Sequence, residues 1–179
     1  AVFQIINATG TVNRSIGRAV GNLKGREFLL VPATMLIISI GGATFGMAEE
    51  TLIFIPLAVA VSRAVGFDAV VGVAMVYLGA YAGYTAGAMN PFNTGIAQGI
   101  AELPLFSGIG FRLGCHALFF IVIWWWIMRY AMKVRKDPTQ SVVYDIAEPL
   151  EAGHADAIAG GEKLLGRDWL ILLVIVAGF

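Results

Sequence analysis

Charge is what this sequence has least of. Lys and Arg number 12, Asp and Glu 12, and together they make 13% of 179 residues, against roughly 25% in an ordinary soluble domain. The formal net charge is zero and no basic cluster interleaves with aromatic residues, so no nucleic-acid partner is expected. The single cysteine, Cys115, excludes an internal disulfide and a cysteine cluster for a metal. The start also lacks a charged segment followed by a short apolar stretch and a small-residue cleavage site, so it does not read as a secretory signal. What is present is apolar: 58% hydrophobic residues and a mean hydropathy of +0.79 indicate a membrane protein. The final "WLILLVIVAGF" is an apolar run about half as long as the roughly 20 residues of a bilayer span, so the chain reads as a fragment.

The charges that exist divide the chain. Residues 1–27 read as the end of a preceding helix and a basic amphipathic arm, with Val12, Ile16, Val20 and Leu23 at helical spacing opposite Arg14, Arg18 and Lys24; a solvated loop is the alternative. From Phe28 to Ser62 the only charges are Glu49 and Glu50. The arms on either side, Phe28 to Ile40 and Thr51 to Val65, would measure roughly 20 and 22 Å, short of a roughly 30 Å hydrocarbon core. Residues 28–66 are therefore expected to form a re-entrant helical hairpin with "GGATFGMAEE" at its tip. If the first helix runs on to Met47 instead, it crosses, and the glutamates lie in a surface turn.

Residues 67–106 contain 33 uncharged positions between Asp68 and Glu102, too many for one span and too few for two with a loop. Pro91 between Asn90 and Asn93, with Gly87, Gly95 and Gly99 around it, predicts a transmembrane helix that unwinds near Asn90 and restarts near Gly95. Residues 107–136 form the next transmembrane helix, with Trp124, Trp125, Trp126 and Tyr130 as an interfacial belt and Arg129, Lys133, Arg135 and Lys136 as its basic anchor. Residues 137–167 read as a linker, in which His154 lacks neighbouring ligand types, and 168–179 as the start of another transmembrane helix. This topology puts every Lys and Arg but Arg112 on one side, the cytoplasmic side by the positive-inside rule.

Two interruptions then carry the chemistry. Broken helices in secondary transporters meet near the midplane, where helix N-termini attract anions and unwound carbonyls hold cations. Glu49 and Glu50 at the start of the second hairpin arm are eased by the helix dipole. Side by side in low dielectric they cannot both stay charged without a cation, which a Lys-, Arg- or ornithine-like ligand, Na⁺ or a proton would supply. Thr44, Thr51, Asn90, Asn93, Thr94 and Gln98 add amide and hydroxyl groups suited to an amino-acid backbone or to Na⁺, with Asn90, Asn93 and Thr94 as the place for that ion. Each has a plainer alternative: Thr44 bonding back into its own helix, and Asn90 acting as an N-cap with Pro91 at N1. Cys115 and His116 read as a packed thiol and a satisfied histidine, with a proton relay at His116 as the lesser alternative. Gly79, Gly83 and Gly87 recur every four residues, which favours close helix packing.

At "ATFGMAEETLIFIPLAVAV", "GAMNPFNTGIAQGIAELPLFSGIGFRL" and "MRYAMKVRKDP" the chain resembles the YfcC-like membrane transporters, grouped with the anaerobic C4-dicarboxylate carriers and the basic amino-acid antiporters. The resemblance runs from about residue 10 to 140. It implies an all-α, polytopic protein of the ion transporter superfamily, this chain being one half of an inverted-repeat transporter, with a re-entrant helical hairpin and a broken transmembrane helix. It further implies a homodimer of the bacterial inner membrane working as an elevator among lipids. Carried over by position, Gly46 to Thr51 match the hairpin tip and Asn90, Pro91, Asn93 and Thr94 the unwound segment, so a substrate site shared between them is implied. A second hairpin and broken helix, which a whole transporter of this kind has, are not in this sequence. A dicarboxylate needs cations, and the apolar core offers two glutamates and no Lys or Arg. The expectation is therefore a secondary transporter of basic amino acids, with a C4-dicarboxylate carrier coupled to Na⁺ or H⁺ as the alternative and no cofactor beyond such an ion. An intramembrane enzyme using the glutamate pair would want a nucleophile or metal ligands nearby, and no such motif flanks residues 41–51. A channel would show a repeated filter lining, and a structural subunit would tolerate loss of both glutamates.

Overall fold

The computed structural model describes residues 27–145. The arm over 11–26, the linker beyond 145 and the apolar run at 168–179 lie outside the described residues. Within them all regular structure is helical. After a 3₁₀ turn at Glu27–Leu29 come α1 (Leu30–Thr44), α2 (Thr51–Ala64), α3 (Ala69–Ala86), a π-turn at Pro91–Gly95, α4 (Ile96–Ile100), α5 (Ile109–Lys136) and a 3₁₀ turn at Pro138–Gln140. Two stretches are long and apolar enough to cross a membrane: Ala69–Ile100, counted through its interruption, and Ile109–Lys136. With 15 and 14 residues, α1 and α2 reach about 22 and 21 Å, both less than a hydrocarbon core.

Helix α3 is the centre on which α1, α2 and α5 pack. Its buried face is built largely from small residues, Gly72, Gly79, Ala80, Ala82, Gly83 and Ala86, and such a face lets backbones approach where lipid gives no hydrophobic drive. Helix α1 lays Val31, Met35, Ser39 and Ala43, one residue per turn, into it. The two run parallel, since Gly79 abuts Met35 and Gly83 abuts Ser39 and Ala43. Helix α2 returns antiparallel, with Ala58 and Val59 against Gly72. The arms of the hairpin thus lie along α3 rather than mainly on each other.

The helix starts and stops have local causes. Helix α1 continues through Gly41 and Gly42, further than a glycine pair leads one to expect. Both glycines are buried, and a Cβ on Gly42 would stand 2.2 Å from the Ala80 carbonyl, so the pair serves close packing rather than chain reversal. The helix stops where Gly46 takes a φ of +75°, a left-handed conformation open to glycine. Helix α3 starts at Asp68, whose Oδ1 accepts from Val71 N at 2.9 Å.

Asp68 also ties four segments together. Its Oδ2 accepts from Tyr130 Oη at 2.5 Å and from Ser141 Oγ at 2.6 Å, while its carbonyl accepts from Ser62 Oγ at 2.8 Å. Val142 N donates to Tyr130 Oη at 3.2 Å. The end of α2, the start of α3, the last turns of α5 and the chain after it are held by one residue, through its carboxylate and its main-chain carbonyl. Tyr130→Phe is expected to destabilise the intact carrier by about 2 kcal/mol, the value of a hydrogen bond to a charged acceptor, read as a lower thermal midpoint in detergent. Next to this cluster Arg135 lies 5.7 Å from the Phe67 ring centroid and Arg129 lies 4.9 Å from that of Trp125, pairing the basic end of α5 with aromatic faces. Beyond the helix, Asp137 caps the final turn. The hydroxyl of Thr139, then the amide of Gln140, hold its carboxyl below the usual carboxylate range.

Candidate functional site

The hairpin tip and the interruption after α3 meet. Helix α3 ends at Gly87, whose φ of +54° turns the chain out of the helix, and Ala88 and Asn90 follow in buried positions. Asn90 is completely buried. Its Nδ2 donates to the Gly42 carbonyl at 3.2 Å, and Met89 N donates to the Ala43 carbonyl at 2.9 Å. In the other direction Asn90 Oδ1 accepts from Phe92 N at 2.9 Å and Asn93 N at 3.3 Å. One side chain therefore caps the new helix start, with Pro91 at its first position, and ties that start to the end of α1. Gly46 seats the tip here, since a Cβ on it would stand 2.7 Å from both Asn90 Oδ1 and Phe92.

The remaining polar side chains of the interruption turn to the backbone. Asn93 Nδ2 donates to the Tyr84 carbonyl at 2.7 Å, and its Oδ1 accepts from Thr94 N. Thr94 Oγ1 donates to the Gly87 carbonyl at 2.6 Å. The oxygens of Asn90, Asn93 and Thr94 are thus each engaged with a main-chain group, and those of Asn93 and Thr94 also stand close together, each 2.6 Å from where a Cβ on Gly87 would lie. Thr44 Oγ1 bonds back to the Ile40 carbonyl at 2.7 Å, and the buried Thr51 donates to the Ala48 carbonyl. Gln98 lies away from the tip: it donates to the Ser107 carbonyl at 2.9 Å and accepts from Phe106 N at 2.8 Å, bracing the loop before α5.

Glu49 and Glu50 stand apart from this self-satisfied set. Both are exposed, at the end of the tip and the start of α2. The Glu50 carboxylate accepts a local bond from Ala48 N at 3.2 Å, and Glu49 lies within electrostatic range of the Tyr81 phenol. Tyr81 is the middle of an aromatic row on α3, with centroids 4.7 Å from Tyr77 and 5.8 Å from Tyr84. Carboxylates and tyrosine faces are each groups that attract organic cations.

Two contributors were hidden in the sequence. Tyr81 comes within electrostatic range of Glu49 by packing alone; the signal available was the spacing of Tyr77, Tyr81 and Tyr84 on one helical face. Arg112, assigned by topology to the side away from the other cations, reaches the interruption from the first turn of α5. Its Nε and Nη2 donate to the Ala88 carbonyl at 3.4 and 3.2 Å, and its Nη1 donates to the Ser107 carbonyl at 2.6 Å. The expectation that the apolar core offers no cation is corrected by this contact. Its isolation in the charge pattern was the clue. His116, further along α5, is hydrogen-bonded through Nε2 to the buried Ser39 of α1. No group of three or more His, Cys, Asp or Glu able to hold a metal occurs among the described residues.

Comparison with known proteins gives these elements a context. A family model described as the C4-dicarboxylate anaerobic carrier matches residues 1–179. A protein of Escherichia coli (strain K12) named "Putative basic amino acid antiporter YfcC" is 32% identical over 175 residues, 98% of this chain and 34% of that protein. An uncharacterized protein of Haemophilus influenzae (strain ATCC 51907 / DSM 11121 / KW20 / Rd) is 35% identical over 149 residues, 80% of this chain and 28% of that protein. The chain thus spans about a third of the length of these curated relatives. No solved structure matches.

Proposed function

We propose, from the premise that this chain belongs to the family of C4-dicarboxylate anaerobic carriers, that the membrane carrier it forms exchanges basic amino acids, arginine and ornithine being the type. The observation that carries this reading is the hairpin tip: Glu49 and Glu50 are both exposed there, Glu49 within electrostatic range of Tyr81, while neighbouring polar side chains hydrogen-bond main-chain groups. A cationic side chain would compensate the paired carboxylates, which water alone does poorly at membrane depth. The name of the Escherichia coli relative points the same way.

Mechanistically, α1 and α2 act as a re-entrant hairpin that moves with α3. Substrate binds where tip and interruption meet, and the tip shields it from one side at a time. The carrier is a multi-pass homodimer of the bacterial inner membrane, and α5 carries apolar side chains such as Phe111, Leu118, Ile121 and Val122 outward, toward lipid. Its work is transport without a chemical step.

A second reading has its own observation. Arg112 at the interruption is a cation that a dicarboxylate would use, in keeping with the family's description. Counterflow separates the two. Proteoliposomes of the intact carrier preloaded with ornithine are expected to accumulate labelled arginine saturably, with lysine competing and succinate not. Glu50→Gln is expected to lower that flux at least about tenfold, the cost of one lost charge-assisted contact. Succinate-driven flux that survives Glu50→Gln would reverse the assignment.

A further inference from the structure

Helix α3 ends without a basic residue in its last turn, yet its C-terminal end concentrates carbonyl oxygens that the helix itself cannot satisfy. The chain beyond it supplies the donors. Asn93 takes the Tyr84 carbonyl, Thr94 the Gly87 carbonyl and Arg112 the Ala88 carbonyl. Two of these donors are neutral, and Arg112 alone brings charge. Its guanidinium donates to the main-chain carbonyls of Ala88 and Ser107. Ala88 itself is buried, so the guanidinium is set on a carbonyl that bulk water does not cover.

An unwound, carbonyl-rich helix end of this kind is where a broken-helix transporter takes up a mobile cation. We infer that Arg112 is the resident cation of this interruption: its guanidinium occupies the electrostatic position of a coupling Na⁺, so this helix break works without binding one. A second cation on the Ala88 carbonyl would stand within a few ångströms of a permanent like charge. Arg112 also shares the Ser107 carbonyl with Gln98 Nε2. The resident charge therefore ties the break to α5 and to the loop before it, a tie that a diffusible ion would release in each cycle.

Its test needs no substrate. Gly95 lies in the π-turn with its nearest neighbours 3.7 and 3.8 Å from a built Cβ, so a cysteine fits there. In a cysteine-free background of the intact carrier, Gly95→Cys is labelled with a maleimide in sodium, choline and methylguanidinium chlorides of equal ionic strength. With Arg112 in place the rates are expected to agree within about twofold across the three salts. With Arg112→Ala, methylguanidinium or Na⁺ is expected to slow labelling at least about fivefold relative to choline, as a bound cation restores order to the break. Sodium-dependent protection with Arg112 in place overturns the inference. So does an Arg112→Ala protein that folds and responds to neither cation. If Arg112→Ala does not fold, the comparison of salts with Arg112 in place decides alone. Arg112→Lys, which retains a cation, is expected to stay indifferent to Na⁺.

Discussion

Gly83→Ala is expected to undo the docking of α1 on α3. A Cβ at position 83 would lie 1.8 Å from the Ser39 carbonyl oxygen and 2.8 Å from Ala43 N. Both obstacles are backbone, so no side-chain rotation relieves them, and the helices must separate along the face that carries Met35, Ser39 and Ala43. Overpacking of a close interface ordinarily costs 1–3 kcal/mol, and a clash with backbone on this scale puts the expected loss at about 3 kcal/mol or more. Gly99→Ala is the matched control, because nothing lies within 4 Å of a Cβ there. Thermal unfolding of the intact carrier in detergent should show a large fall in midpoint for Gly83→Ala and a change within about 0.5 kcal/mol for Gly99→Ala. Equal midpoints would mean that the two helices do not approach as described.

The second large effect is expected at Asn90. Alanine there leaves the Gly42 carbonyl, Phe92 N and Asn93 N without the partner that now serves all three inside a fully buried position. The expected cost is about 3 kcal/mol, from a lost cap and an orphaned buried carbonyl. Asn90→Asp separates the two jobs. A carboxylate still accepts from Phe92 N and Asn93 N, but cannot donate to Gly42, so the helix start is kept while its tie to the hairpin is cut. Transport is therefore expected to fall at least about tenfold in Asn90→Asp. Full transport by Asn90→Asp would show that the tie between tip and break has no part in the cycle.

Much of the helical order was legible because punctuation by Pro and charge is local. Pro91 with its flanking asparagines gives away a helix start from sequence alone, and the lengths of the apolar stretches limit what each helix spans. What eluded the sequence depends on packing. Gly41 and Gly42 read as a turn because glycine breaks isolated helices, but against Ala80 they are the residues that allow contact, so α1 runs on to Thr44. Asn93 and Thr94 read as ligands by composition, and their hydrogen bonds to the Tyr84 and Gly87 carbonyls form only where the chain doubles back at the break. Gln98, grouped with them by proximity in sequence, faces Ser107 instead. Arg112 lies 24 residues from Ala88, and no periodicity in the sequence announces a contact of that separation.

The central claim is that the glutamates of the hairpin tip recognise a cationic substrate. Equilibrium binding of labelled arginine to the purified intact carrier tests it most directly, with Glu49→Gln/Glu50→Gln beside the unaltered protein and succinate as competitor. Saturable arginine binding that succinate does not displace, weakened at least about tenfold in the double variant, is the predicted result; tenfold is about 1.4 kcal/mol, modest for losing two carboxylates facing a cation. Arginine binding of equal strength in both proteins, or its displacement by succinate, would contradict the account and return the two glutamates to an ordinary turn.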